Sequence, residues 1–412
     1  MKQGLRVAAG LVLALAVAGC GTTPPAPAVV RGVAVREPLA NPRPYGAADT
    51  AFGLGTLGAW CRADPRANLV LSPSSLASGL GMAYLGARGS TARVMADVLR
   101  LPRGPGLMAG LQVRSVALRR LNGPGVTVDT SDQVWADPSL TTRRSYLNAV
   151  ATGYDAGVAH VPLLRHPGQA AQEISQAIAA ATHGQIAQLL PPGSLNGIGW
   201  VLTDALYLNA AWATPFPAGQ TRPGPFTTAS GRAASAEYLT GGPYAAAGVG
   251  GWTAVWLPYR GGRLAMMALL PPASGCAMPT AKQLGMLASE LRGGTATREI
   301  ALPRVSLRNK TSMKGLLTGL GMGLAFTPAA DFTGLSPQAC CIGLVEQAAT
   351  LRVWEQGTVA SAATAVGVEP SAARAGPPPV AFDRPYLMVV TVPATGEPLI
   401  MARVTDPQSG TG

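Results

Sequence analysis

The chain has 412 residues, 48% of them hydrophobic, which is enough for a large buried core in either one big domain or two ordinary ones. Lys and Arg outnumber Asp and Glu by 32 to 20, a formal charge of +12, yet only 13% of residues are charged and the basic ones are scattered. No run of Lys/Arg makes a nucleic-acid stripe, so the charge reads as a solvated surface, and scarce lysine beside abundant Ala, Gly, Pro and Arg reads as codon bias.

At the start of the chain, Lys2 and Arg6 precede an apolar run from Val7 to Val17 that meets small residues at Cys20. This is the pattern of a secretory signal, and the run is too short for a spanning helix. Val17-Ala18-Gly19-Cys20 resembles the lipobox of bacterial lipoproteins, whose cysteine is acylated and becomes the new N-terminus. The resemblance implies cleavage after residue 19, a mature charge of +10 once Lys2 and Arg6 leave the +12 chain, and a lipid tether at Cys20 to the outer face of the cytoplasmic membrane. An ordinary signal peptide with a coincidental cysteine is the alternative. Residues 20–47, rich in Pro and Ala, read as a flexible linker, and residues 48–408 as the folded domain.

Further along, Ser75 to Leu85 reads as a buried helix with serine at its start, and Thr91 to Leu101 as a shorter amphipathic one. Gln172 to Leu190 begins as a helix. Ile198 to Trp212 reads as a long strand, apolar on both faces and hence central in a sheet. Thr253–Pro258 and Arg263–Leu270 form a hairpin signal around Gly261-Gly262. Thr311 to Leu320 reads as a helix and Thr350 to Glu355 as a strand. Mixed elements without regular βαβ alternation predict an α+β fold.

Four cysteines remain after Cys20: Cys61, Cys276, Cys340 and Cys341. Disulfides can form in an exported protein, but the adjacent pair would strain the peptide between them, and the pairing stays open. The spacing fits no zinc pattern, and the three histidines, His160, His166 and His183, stand in no recognisable catalytic context; no metal or cofactor is expected. Neither Gly-x-Ser-x-Gly nor a phosphate-binding Gly-x-x-x-x-Gly-Lys occurs, which argues against an enzyme.

Between Gly357 and Val368 the chain holds no charge and only small or β-branched residues. Read plainly it is a linker, yet it could also enter a sheet, because neither face would bury a charge.

Several landmarks now agree with one family in one order. Asn68-Leu-Val-Leu-Ser72-Pro73-Ser-Ser75 and Gly81-Met-Ala-Tyr-Leu-Gly-Ala-Arg-Gly-Ser-Thr-Ala92 are followed by Ala205-Leu-Tyr207-Leu-Asn-Ala-Ala-Trp212. Leu257-Pro258-Tyr259, Leu269-Leu270-Pro271-Pro272, Leu302-Pro303-Arg304 and Leu320-Gly321-Met322 through Ser336 come next. Glu355-Gln-Gly357-Thr358 and Phe382-Asp383-Arg384-Pro385-Tyr386 close the series, and together these stretches resemble the serpins over nearly the whole mature chain.

The resemblance implies an α+β serpin fold of three β-sheets with about eight or nine helices and an exposed reactive-centre loop, here residues 356–379. It implies a monomeric suicide inhibitor of serine proteases, whose cleaved loop enters the main sheet as a strand and traps the acyl-enzyme. Glu355, Gly357, Thr358, Ala360, Ala362 and Thr364 fall at the hinge, where burial of a charge would slow insertion, and Val359 replaces the usual acidic residue. The family's count from Glu355 puts the scissile bond at Ser371–Ala372, suiting elastase- or subtilisin-like proteases. Counting back from Pro377 gives Arg374–Ala375 and a trypsin-like target. Trp212 matches the tryptophan at the breach where the loop enters.

Two family features are replaced. Of the polar cluster beneath the opening sheet, Ser72 and Ser75 match, but Asp204 stands for the asparagine and Gln347 for the histidine, with Asp204 able to accept and Gln347 to donate. Ala177 stands where a helical tryptophan is expected. The rival reading is a non-inhibitory serpin-fold binding protein on the cell surface, and a third is a purely structural lipoprotein.

Overall fold

A computed structural model of the protein describes residues 27–294, 296–358 and 378–408, and of Asp204 the backbone. The signal peptide, Cys20, Ala360, Ala362, Thr364, Ser371, Ala372, Arg374 and Ala375 lie outside the described residues.

The chain opens with β1 (Val29–Val30), α1 (Arg43–Ala63), β2 (Leu69–Leu71), α2 (Pro73–Gly86), α3 (Gly89–Val98) and α4 (Leu107–Arg119). Then come β3 (Val126–Thr130), β4 (Gln133–Ala136), α5 (Arg144–Tyr154), β5 (Val158–His160), α6 (Pro167–Ala181) and β6 (Trp200–Ala211). The middle holds β7 (Arg222–Thr227), β8 (Ala233–Val249), β9 (Trp252–Pro258), β10 (Ala265–Leu270), α7 (Ala281–Gly293), β11 (Thr297–Pro303), β12 (Val305–Ser312) and α8 (Lys314–Leu317). Last are β13 (Val345–Trp354), β14 (Gly357–Thr358), β15 (Val380–Ala381), β16 (Tyr386–Val392) and β17 (Glu397–Val404).

The main sheet runs β1-β5-β4-β6-β14-β13-β12, with β3 on the far half of β6. The second runs β15-β11-β8-β9-β10-β16-β17-β2, with β7 on β8. Three sheets were expected; the described strands form two ladders because the 17-residue β8 pairs with β7 and β11 at its start and with β9 at its end, joining what would be two smaller sheets. Leu206, Leu208 and Ala210 of β6 pack with Met266, Ala268 and Met388 of the second sheet in one core, so β6 is central as its double-sided apolar sequence predicts.

Ser72 caps α2 by accepting from the Ser75 amide at 3.4 Å. Gly261 and Gly262, at φ 76° and 67°, make the β9–β10 turn, which needs left-handed residues. The helix expected over Thr311–Leu320 starts late. Thr311 and Ser312 still pair with Gln347 and Glu346 of β13, and Gly321 at φ 109° ends regular helix after Leu317. The strand expected from Thr350 begins five residues earlier, at Val345, because its first half pairs with β6.

The proposed linker differs most. From Val29 on it is bound to the body: β1 adds to the edge strand β5, Val33 and Val35 amides donate to Asn148 (2.8 Å) and Thr152 (3.0 Å) of α5, and Gln112 of α4 brackets Val35 and Glu37. Composition suggested a loose chain, but these side chains satisfy its backbone.

Cys61 and Cys276 form a disulfide tying α1 to the segment after β10, while Cys340 and Cys341 are free thiols.

Candidate functional site: the seam of the main sheet

The site is the seam between β6 and β13. At one end the two strands pair directly in parallel, Leu202–Ala205 against Val345–Ala348. At the other, the two residues of β14 lie between them: Gly357 faces Ala211 and Trp354, and Thr358 faces Ala210 and Val353. Between these regions, among the described residues, 206–209 and 349–352 share no ladder pairing, so the seam is zipped at one end and wedged open at the other.

Glycine is required at the wedge. Gly357 has φ 156°, and a Cβ there would run into the carbonyl oxygen of Ala210. Thr358 is fully buried, and its hydroxyl hydrogen-bonds the Tyr259 hydroxyl at 2.6 Å. Burial raises the Tyr259 phenol, with the Thr358 hydrogen bond opposing, so it stays a neutral hydrogen-bonding group. Tyr259 stacks on Trp212 with ring centres 4.5 Å apart, Phe216 meets Trp212 edge-on, and the Trp212 indole donates to the Trp354 carbonyl at 2.8 Å. Trp212 thus sits at the mouth of the seam and fastens its β13 side.

Glu355 is anchored just before the wedge. Arg304, at the end of the β11–β12 connection, pairs with its carboxylate, Thr221 donates at 2.7 Å, and the Arg304 guanidinium lies 5.2 Å over the Trp354 ring. Burial pushes the Glu355 carboxyl upward, but the bonds from Arg304 and Thr221 win and hold it below the ordinary glutamate value. Sequence reasoning quoted Tyr259 and Arg304 only as landmarks; their contacts require the fold.

Beneath the zipped end, Ser72, Ser75 and Gln347 lie together. The Gln347 amide donates to the Ser72 carbonyl at 3.1 Å, while its buried oxygen has no hydrogen-bond partner among the described residues. The Asp204 backbone is in register with Gln347, and its side chain lies outside the described residues. Ser75 donates to Asp132, between β3 and β4, at 3.4 Å.

Asp132 belongs to a cluster that sequence reasoning missed. Arg114, on α4, is buried against Asp49 of α1 (2.5 Å) and Glu397 of β17 (2.9 Å) and also donates to Ser78 and the Ser74 carbonyl. Burial raises Asp49 well above its usual range despite Arg114, and lifts Asp132 to about 7 against Arg114, Ser75 and Ser78. The only available signal was a single charge on each of several apolar helix or strand faces, which tells nothing about which charges meet.

α6 and residues 186–195 lie across this face, with Ile174, Ile178, Leu189 and Leu190 in one cluster with Ala205 of β6 and Ala348 of β13. Ala177, in place of the expected tryptophan, packs at its edge.

The site is thus a sheet whose central strands are parted at one end by Gly357 and Thr358 and covered at the other by α6. The sequence profile of the family described as Serpin (serine protease inhibitor) matches residues 47–407, and the chain belongs to that family. It is 28% identical over 349 residues to an uncharacterised serpin-like protein of Thermococcus kodakarensis, covering 83% of this chain and 82% of that one. It is 29% identical over 380 residues to plasminogen activator inhibitor 1 of Neovison vison, covering 87% and 92%. Among solved structures, human glycosylated kallistatin superposes with a TM-score of 0.77 at 22% identity, covering 89% of this chain and 99% of that one. Serpin48 of the insect Tenebrio molitor gives 0.73 at 22%, covering 88% and 98%.

Proposed function

We propose that the protein is a suicide inhibitor of serine proteases, lipid-anchored through Cys20 to the outer face of the cytoplasmic membrane. The observation that carries the reading is β14: the hinge residues Gly357 and Thr358 already lie as a strand between β6 and β13. The uncharged residues that follow, through Val368, would extend that strand. Eleven residues from Thr358 at about 3.3 Å each span about 36 Å, close to the about 40 Å of the 12-residue β6.

In this mechanism the protease serine adds to the carbonyl of Ser371, the amine of Ala372 leaves with a proton, and an acyl ester joins protease to loop; Arg374–Ala375 is the alternative bond. Freed at its C-terminal side, the loop zips into the seam, pushing apart the Leu202–Ala205 and Val345–Ala348 pairs and sliding beneath α6. Small uncharged side chains suit this path because both faces of the seam are buried.

The test mixes the mature chain, without its lipid, with subtilisin, elastase and trypsin separately, followed by denaturing gels and mass spectrometry. A denaturant-resistant adduct supports the mechanism, and the released C-terminal peptide begins at Ala372 or Ala375. Cleavage with no adduct but a large rise in heat stability means insertion slower than hydrolysis. Cleavage with neither favours the non-inhibitory binding protein.

A further inference from the structure

The segment between the lipid site and α1 carries an unusual surface. Eight large hydrophobic side chains are exposed among the described residues, and five of them, Val29, Val30, Val33, Val35 and Leu39, lie within eleven residues of chain there. Leu39 is 98% exposed, Val33 64% and Val35 58%. Arg31 and Arg36 are exposed among them; Arg31 faces Asp155 at 3.5 Å, and Arg36 makes no ion pair among the described residues.

These side chains are not loosely presented. The backbone beneath them is pinned by β1–β5 pairing and by Asn148, Thr152 and Gln112, so their exposed surface is carried on a fixed support. A mere tether needs no apolar residues and no fixed path. Isolated exposed hydrophobics are ordinary, but five within eleven residues of one pinned segment mark an interaction surface.

We propose that this strip is a membrane-docking face, whose valines and Leu39 enter the headgroup boundary of an anionic bilayer while the arginines meet lipid phosphates. The inference deepens the lipid-anchor reading and rests on it: Val29 lies nine residues after Cys20, so an acyl chain there would hold the strip at the bilayer surface. One acyl signal gives marginal attachment, and a second, apolar and basic, makes it stable. In the main sheet β1 is four strands from β14, about 19 Å at the usual strand spacing, so docking along β1 keeps the hinge clear of the bilayer.

The experiment uses the mature chain with Cys20→Ser, and vesicles of phosphatidylglycerol with phosphatidylethanolamine against vesicles of phosphatidylcholine. The unacylated chain should bind the anionic vesicles, more weakly at high salt, and bind phosphatidylcholine less. Val33→Ser, Val35→Ser and Leu39→Ser together should weaken partitioning at least about tenfold, given the methylenes removed from the interface, with the thermal midpoint unchanged. Arg36→Gln should weaken binding to the anionic vesicles alone. No vesicle binding, or equal binding by the triple variant, overturns the proposal, as does a triple variant whose only change is loss of a dimer on sizing. Mass spectrometry of the protein from cell membranes separates the two readings. Cys20 without acyl chains sinks the anchor while vesicle binding still stands; acylated Cys20 with strip-independent partitioning sinks the docking face alone.

Discussion

Thr358→Arg puts a charge where the seam is tightest. Thr358 has no exposed surface, its hydroxyl is spent on Tyr259, and Ala210 and Val353 flank its backbone. An unpaired guanidinium there loses its water without a counter-ion, a penalty of several kcal/mol. The substituted side chain is therefore expelled from the wedge before cleavage, and if returning it to the seam costs about 3 kcal/mol at the barrier, insertion slows roughly 100-fold, because each 1.36 kcal/mol is a factor of ten. Deacylation by the protease is unchanged, so the loop should be consumed as substrate. The assay is titration of a fixed amount of protease, with gel quantification of adduct against cleaved inhibitor, for whichever protease the parent traps. Adduct yield should collapse while cleavage continues. Thr358→Ser should behave like the parent, and Thr358→Val, which strands the Tyr259 hydroxyl, should cost about 1–3 kcal/mol and reduce yield moderately. An unchanged adduct yield for Thr358→Arg would refute the idea that insertion proceeds through the Gly357–Thr358 wedge.

Arg304→Ala leaves Glu355, whose side chain is only 8% exposed, without its cation and should destabilise by about 3 kcal/mol, read as a lower urea midpoint. Because the Glu355 carboxyl is held low in the folded state, this stabilisation is present above the ordinary glutamate value and lost as pH falls through the lowered one; the Arg304→Ala deficit should shrink in acid. Asp132 has the opposite sign. With its carboxyl raised to about 7, the folded protein holds a proton the unfolded chain has released, so stability should fall as pH rises from about 4 to about 7, by up to about 1.4 kcal/mol per unit, and Asp132→Asn should flatten that slope in denaturant titrations across pH. Cys61→Ser opens a 215-residue loop and, on the chain-entropy account, should cost about 5 kcal/mol, matched by the effect of reductant on the parent's thermal midpoint.

What sequence determines here is local or ordered along the chain. The double-sided apolar run of β6, the Gly261-Gly262 turn and a serine-started helix over Ser75–Leu85 were legible because each depends on periodicity or on one residue's backbone freedom, although the helix begins at Pro73 with Ser72 as its cap. The family followed from the order of its landmarks, and with it the placing of Gly357 and Thr358, since a glycine followed by small uncharged residues is what a buried seam admits. Other features depend on who meets whom. Asp49, Arg114, Asp132 and Glu397 lie on α1, α4, the β3–β4 link and β17, and nothing in their spacing foretells one buried cluster. Thr311 reads as the start of a helix until Gln347 claims it for the ladder, and residues 29–37 read as a free linker until α4, α5 and β5 supply partners for their backbone. Periodicity and residue type are carried by neighbours in sequence; burial, charge pairing and strand edges are carried by neighbours in space, and only the folded chain assigns those.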